Sequence, residues 1–194
     1  MPRLALALVL ILPAFASCFA GCSPSWEVVQ ASGPPSALHG LEHFVIRTDY
    51  SGTAVHGDRE SVYATKELED PEEQAHWAKA KQLMDAGVLD RIAQLSPQVR
   101  FELAKGERGS SKGPELLIEY LMIQPGYWGF FRKESIVTAR MSFVVGGQVT
   151  DQIMAEAEVD PSKWNPTVVD RLANIGRQLG YCGAEFLNEA QSGE

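Results

Sequence analysis

Apolar residues in this chain follow two different periods, separated by polar and proline-rich stretches. His43-Phe44-Val45-Ile46-Arg47 reads as a first strand. Asp70 caps a helix that Pro71 opens and the acids Glu72 and Glu73 favour, since negative charge is stabilised at a helix start. Ala80, Met84, Val88, Ile92 and Leu95 then recur every three or four residues up to Pro97, giving one apolar helix face, with Gly87 as a possible break. Val99, Phe101 and Leu103 alternate with Arg100 and Glu102, the period of a half-buried strand. Leu116 to Ile123 is nearly continuous apolar, which predicts a central strand covered on both faces. Val137, Ala139, Met141, Phe143 and Val145 alternate again, and so do Ile153, Ala155, Ala157 and Val159.

Gly146-Gly147 turns the chain between these last two strands. A three-residue turn, Gly146 to Gln148, pairs Val145 with Val149 and Met141 with Ile153, which matches the buried faces. Asn165 caps and Pro166 opens a last helix, in which Val168, Leu172, Ile175, Leu179, Cys182 and Phe186 form the cleanest stripe of the chain. Gly176, Gly180 and Ala184 line an adjacent ridge. Each helical glycine costs about 1 kcal/mol against alanine, a cost that close approach of this helix to the sheet would justify. Asp49 to Leu68 reads as a long loop with a short extra strand at Ser61 to Ala64. The predicted order is β-α-β-β-β-β-α: an α+β two-layer sandwich, its sheet mixed or antiparallel, with both long helices on one face.

The N-terminal segment is different. Leu4 to Phe15 is an apolar run of twelve residues behind Arg3. A bilayer-spanning helix needs roughly 20 residues, so the run fits a secretory signal instead. Ser23 to Leu38 is dominated by proline, serine and glycine, and reads as a tether able to reach about 50 Å when extended. The expected organisation is a signal peptide at 1–21, a flexible tether at 22–40, one domain at 41–190 and a tail at 191–194.

The 194 residues carry a formal net charge of −8, with 45% hydrophobic and 22% charged residues. That fits one globular domain and excludes a disordered chain or a nucleic-acid groove. Candidate chemistry is sparse. His39-Gly40-Leu41-Glu42-His43 matches an H-x-x-E-H zinc pattern, but in a strand its histidines would stand about 13 Å apart, too far for one zinc at about 2.1 Å from each. Glu72, Glu73 and His76 read as a solvated helix start. Gly109 to Gly113 lacks phosphate-loop spacing and is not followed by a helix. Asp58, Arg59, Glu60 and Asp151 have no identifiable base or nucleophile beside them. Cys182 sits in the apolar stripe, so it is expected to be a buried small hydrophobe. No catalytic motif and no cofactor or metal site emerges, and the expected role is non-enzymatic, with a periplasmic hydrolase or small-ligand binder as the alternative. The most unusual segment is Gly126-Tyr127-Trp128-Gly129-Phe130-Phe131-Arg132-Lys133. Clustered aromatics and cations mark partner contacts, so Tyr127, Trp128, Phe130 and Phe131 are the candidate contact residues.

Phe19-Ala20-Gly21-Cys22 before Ser23 resembles the lipobox of bacterial lipoproteins, with Phe15-Ala16-Ser17-Cys18 as runner-up. The resemblance implies cleavage before Cys22, acylation of its thiol and new amino terminus, and an outer-membrane location, because Ser23 is not the retaining aspartate. Only Cys182 would then remain, so no internal disulfide forms. Together with the strand, helix and glycine-turn order, the chain is similar to small Gram-negative envelope lipoproteins. Its domain resembles the periplasmic α/β domain of curli-secretion-type assembly lipoproteins. That likeness, over about residues 41 to 190, implies binding of a protein partner or of a second copy, and carries over no functional residue.

Overall fold

The computed structural model describes residues 24–56, 62–64, 71–104, 113–126 and 133–192. Along the chain run β1 (Ser25–Gln30), β2 (His43–Asp49), β3 (Ala54–His56), β4 (Val62–Ala64), α1 (Pro71–Leu95), β5 (Arg100–Leu103), β6 (Glu115–Gln124), β7 (Ser135–Val145), β8 (Gln148–Val159) and α2 (Val168–Ser192). The strands form one mixed sheet in the order β1-β8-β7-β6-β2-β5, with β3 also beside β6 and β4 beside β3. β2 is parallel to both β5 and β6, while β1, β6, β7 and β8 pair antiparallel. Both helices lie against one face, so the fold is the expected α+β two-layer sandwich.

The register explains the core. Leu116 stands opposite Phe143, Ile118 opposite Met141, and Tyr120 opposite Ala139. Met141 in turn faces Ile153, and Ala139 faces Ala155. These side chains share the helix-facing side and are fully buried, together with Phe44 and Ile46 of β2. The stripes Ala80, Met84, Val88, Ile92 and Leu172, Ile175, Leu179, Cys182, Phe186 close over them. Each such large side chain contributes about 1.5–3 kcal/mol by leaving water. The other face of the sheet is not a second core. Leu117 is buried there, but Arg47 pairs with Glu115 at 3.5 Å and Arg140 with Glu119 at 3.8 Å, and Leu121 and Met122 of β6 are only half-buried. The expected cover on both faces of this strand is therefore incomplete among the described residues.

Five expectations are corrected. The segment read as a tether is part of the domain. β1 pairs with β8, Trp26 meets Phe186 edge-on at 5.8 Å, and Leu38 is fully buried. Ser32 donates from its amide and hydroxyl to the buried Asp151 carboxylate, at 2.8–2.9 Å, and its own hydroxyl oxygen accepts from Ala37 N at 2.9 Å. The β7–β8 turn has two residues, not three: Gly146 and Gly147 take φ of 61° and 81°, the mirror-image turn that suits a twisted hairpin, and Val145 pairs with Gln148. A bulge at Thr150 then shifts the register, so Met141 still meets Ile153. α2 is capped by Thr167, whose hydroxyl accepts from Asp170 N at 3.1 Å while Asp170 accepts from Thr167, not by Asn165. Finally, α1 runs unbroken through Gly87, and the glycine ridge of α2 meets α1 rather than the sheet. A Cβ on Gly180 would stand 2.6 Å from Val88 O, one on Gly87 2.7 Å from Ala173 O, and one on Gly176 would overlap Met84 O.

This contact makes a direct prediction. Gly176→Ala forces two helix backbones apart and should cost about 3 kcal/mol or more, read as a large fall in melting temperature. Gly33→Ala, with open space around it, should leave melting nearly unchanged. Equal melting of the two variants would contradict the close-contact account.

Candidate functional site

Tyr127, Trp128, Phe130 and Phe131 lie outside the described residues, as do Cys18 and Cys22. The structure describes the neck that carries the aromatic segment. Gly126 has φ of 62°, and any side chain there would run into the carbonyls of Lys133 and Glu134, so the two arms of the neck touch backbone to backbone. Ser135 Oγ donates to Pro125 O, and Gln124 Nε2 donates to Glu134 O at 3.3 Å. The six residues between 126 and 133 thus spring from a closed, hydrogen-bonded base.

That base is pinned by Arg171, in the first turn of α2 and 1% exposed. Its Nε donates to Ser135 Oγ at 2.7 Å and its Nη2 to Pro125 O at 3.2 Å. Its Nη1 reaches Asn165 O at 3.4 Å and Pro166 O at 3.1 Å. No carboxylate pairs with this guanidinium among the described residues; oxygen dipoles compensate it instead, as a buried charge requires. Burial lowers its pKa and the nearby Asp170 charge opposes that shift. One side chain therefore ties the aromatic segment to the link between β8 and α2.

The link has its own aromatic. Ser162 Oγ accepts from the amides of Trp164 and Asn165, each at 3.2 Å, and Ser162 O accepts from Asn165 N at 3.1 Å. This tight turn holds Trp164 out to solvent at 79% exposure, with Lys163 Nζ 4.9 Å from its ring centroid. The sequence pattern draws only a helix start, Asn165 and Pro166, from this stretch. The available signal was a tryptophan in a stretch bounded by Pro161 and Pro166, with no apolar period to bury it. The neck and the turn that exposes Trp164 are thus joined through Arg171 at one end of the sheet. β1 starts toward the same end, since Ser25 pairs with Glu156, near the finish of β8.

The remaining candidates resolve into structural roles or surface positions. His39 Nδ1 lies 3.0 Å from Gln191 O, and His43 Nε2 lies 3.8 Å from Glu102 Oε1, so the two histidines serve different neighbours. Glu72 and His76 are exposed on the first turns of α1. Among the described residues no three His, Cys, Asp or Glu side chains converge as metal ligands. Residues 58–60 and 109–112 lie outside the described residues. Cys182 is fully buried, as its place in the stripe predicts, and burial pushes its thiol up to about 12, so it is held as an unreactive thiol.

Asp85 of α1 centres a polar cluster among the described residues. It accepts from Tyr50 at 2.7 Å, Tyr120 at 3.2 Å and Thr48 at 3.0 Å, and the two tyrosine rings stack at 4.4 Å. Burial raises its pKa, although the three hydroxyls and Lys81 oppose this. Burial likewise raises both tyrosines, which keeps them as donors. The cluster joins the β2–β3 corner to α1. Because the native carboxyl holds its proton more tightly than the unfolded one, stability should fall as pH rises from the unfolded value of 3.8 through the native pKa, and level off above it. Asp85→Asn should flatten that slope and melt no lower than wild type at neutral pH. Asp85→Ala leaves three hydroxyls without their acceptor and should cost about 2 kcal/mol. A pH–stability curve unchanged in Asp85→Asn would refute this role.

No protein-family model matches the chain, and no curated protein matches it. Among solved structures, matches are distant. An uncharacterized protein matches at 15% identity and TM-score 0.38, over 75% of this chain and 90% of its own. A PelC dodecamer from Paraburkholderia phytofirmans matches at 10% identity and TM-score 0.37, over 87% and 97%. Its L103M variant matches at 11% identity and TM-score 0.37, over 81% and 98%.

Proposed function

We propose that this protein is a non-enzymatic lipoprotein of the bacterial envelope, acylated at Cys22 and acting by binding a protein partner or a second copy. The observation that carries the reading is the end of the sheet fixed by Arg171, which ties the neck of the Tyr127, Trp128, Phe130 and Phe131 segment to the turn that exposes Trp164. Exposed aromatics are expensive to leave in water, and a rigid base lowers the entropy lost when they are covered. The buried Cys182, Asp151 and Asp85 serve packing, which favours recognition over chemistry.

The position of β1 sharpens the anchoring. Ser25 follows Cys22 by three positions, a reach of about 10 Å. Acyl chains on Cys22 would hold the domain close against the bilayer, because several buried chains bind nearly permanently. The aromatic end then lies near the membrane surface, at the outer membrane on the lipobox resemblance.

Two measurements test this. Intact mass of protein taken from its host envelope should show an acylated chain beginning at Cys22; an unmodified terminus contradicts the anchor. Pull-downs from solubilised envelope with Trp128→Ala and Trp164→Ala should each lose most of the partner recovered by wild type, about tenfold for loss of a central aromatic anchor. Full recovery with both variants contradicts the contact end.

A further inference from the structure

We infer that the groove between the outward sides of α1 and α2 binds the phosphoethanolamine headgroup of a membrane phospholipid. The groove is a cavity of about 530 Å³, and its wall includes Pro24, Asp90, Arg91, Arg177 and Gln178. It exists because the glycine contact draws the helices together, bringing Arg91 of α1 and Arg177 of α2 to the same depression. Arg91 donates to Gln94 Oε1 at 2.7 Å, and neither guanidinium pairs with a carboxylate among the described residues. Two like charges sharing one groove favour an anion between them, and guanidinium pairs match phosphate oxygens in geometry.

The groove also asks for a donor. Gln178 Oε1 is buried and has no hydrogen-bond partner, an arrangement that costs free energy until something donates to it. Asp90 adds a carboxylate to the same wall. A ligand carrying a phosphodiester and, two carbons away, an ammonium group satisfies both halves: oxygens to the arginines, N–H to Gln178 and Asp90. The lipid source rests on the membrane reading above. Pro24 stands in the groove wall two residues from Cys22, so an acylated Cys22 would bring the groove within about 10 Å of headgroups.

The test uses full-length protein purified from the host envelope in detergent. Dihexanoylphosphatidylethanolamine is titrated into it by NMR or calorimetry, beside dihexanoylphosphatidylcholine, glycerophosphoethanolamine and inorganic phosphate. The ethanolamine lipid should bind, and the choline lipid, which has no N–H, should bind about tenfold more weakly. Arg91→Gln and Arg177→Gln, both at the surface, should each weaken binding about tenfold, and Gln178→Leu should erase the preference for ethanolamine over choline. Equal binding of both lipids, or undiminished binding by the arginine variants, overturns the proposal. Inorganic phosphate binding as well as the lipid reduces the groove to a simple anion site and overturns it too. Glycerophosphoethanolamine carries the same headgroup and should bind about as tightly as the lipid; its failure to bind overturns headgroup recognition, and the membrane source is read from the acylation of Cys22. Intact mass of the same sample separates the two readings. An unmodified Cys22 with headgroup binding retained overturns the anchor alone, and an acylated Cys22 with no headgroup binding overturns the groove alone.

Discussion

Where α1 crosses α2, backbone meets backbone through Gly87, Gly176 and Gly180. Two helices of 25 residues must share one face of the sheet, and ordinary side chains at the crossing would hold them about a methyl layer further apart. The small residues remove that layer. Met84, Val88 and Ile92 can then reach the sheet beside Leu172, Ile175 and Leu179, and one core forms beneath both helices. The same closeness fixes where α2 begins. Its first turn delivers Arg171 to Ser135 and Pro125, and its middle turns set Arg177 and Gln178 beside Arg91. The contact end and the outer groove are both consequences of how tightly the helix pair closes.

Much of this was legible in residue periods. The stripe in each helix predicts its buried face nearly residue by residue, because a long amphipathic helix repeats the same signal over many turns. The pairing of Met141 with Ile153 follows from matching buried faces, although the local route was misread: a glycine pair makes the tight turn, and the Thr150 bulge restores the register. β1 was not legible. It is an edge strand with Val28 and Val29 about half exposed, and proline and serine around it mimic a linker. What betrays it is tertiary: Trp26 on Phe186, and Ser32 on Asp151. The ridge of glycines was legible as a close contact, but a period cannot name the surface it meets.

The candidate site was legible only in part. Crowded aromatics in one segment stand out in any reading of composition, and their neck is built as a rigid mount. Arg171 gives no sequence signal, since it interrupts an apolar stripe and its partners are mostly backbone carbonyls. Trp164 lacks a period because it packs on nothing. The groove joins residues almost ninety positions apart, which only the fold brings together. Buried chemistry points the other way: Cys182, Asp151 and the Asp85 cluster all have structural roles, whereas Gln178 in the groove wall keeps a buried Oε1 without a hydrogen-bond partner.

The central claim is that the Arg171-held end, and not another part of the domain, is where this protein meets its partner. Site-specific photo-crosslinking in living cells examines it most directly, with the reactive side chain placed at residue 164 in one strain and at the exposed Glu42 in another. The account predicts a discrete crosslinked envelope component from position 164 and none from position 42. Crosslinks that arise from position 42 and not from 164 would contradict it.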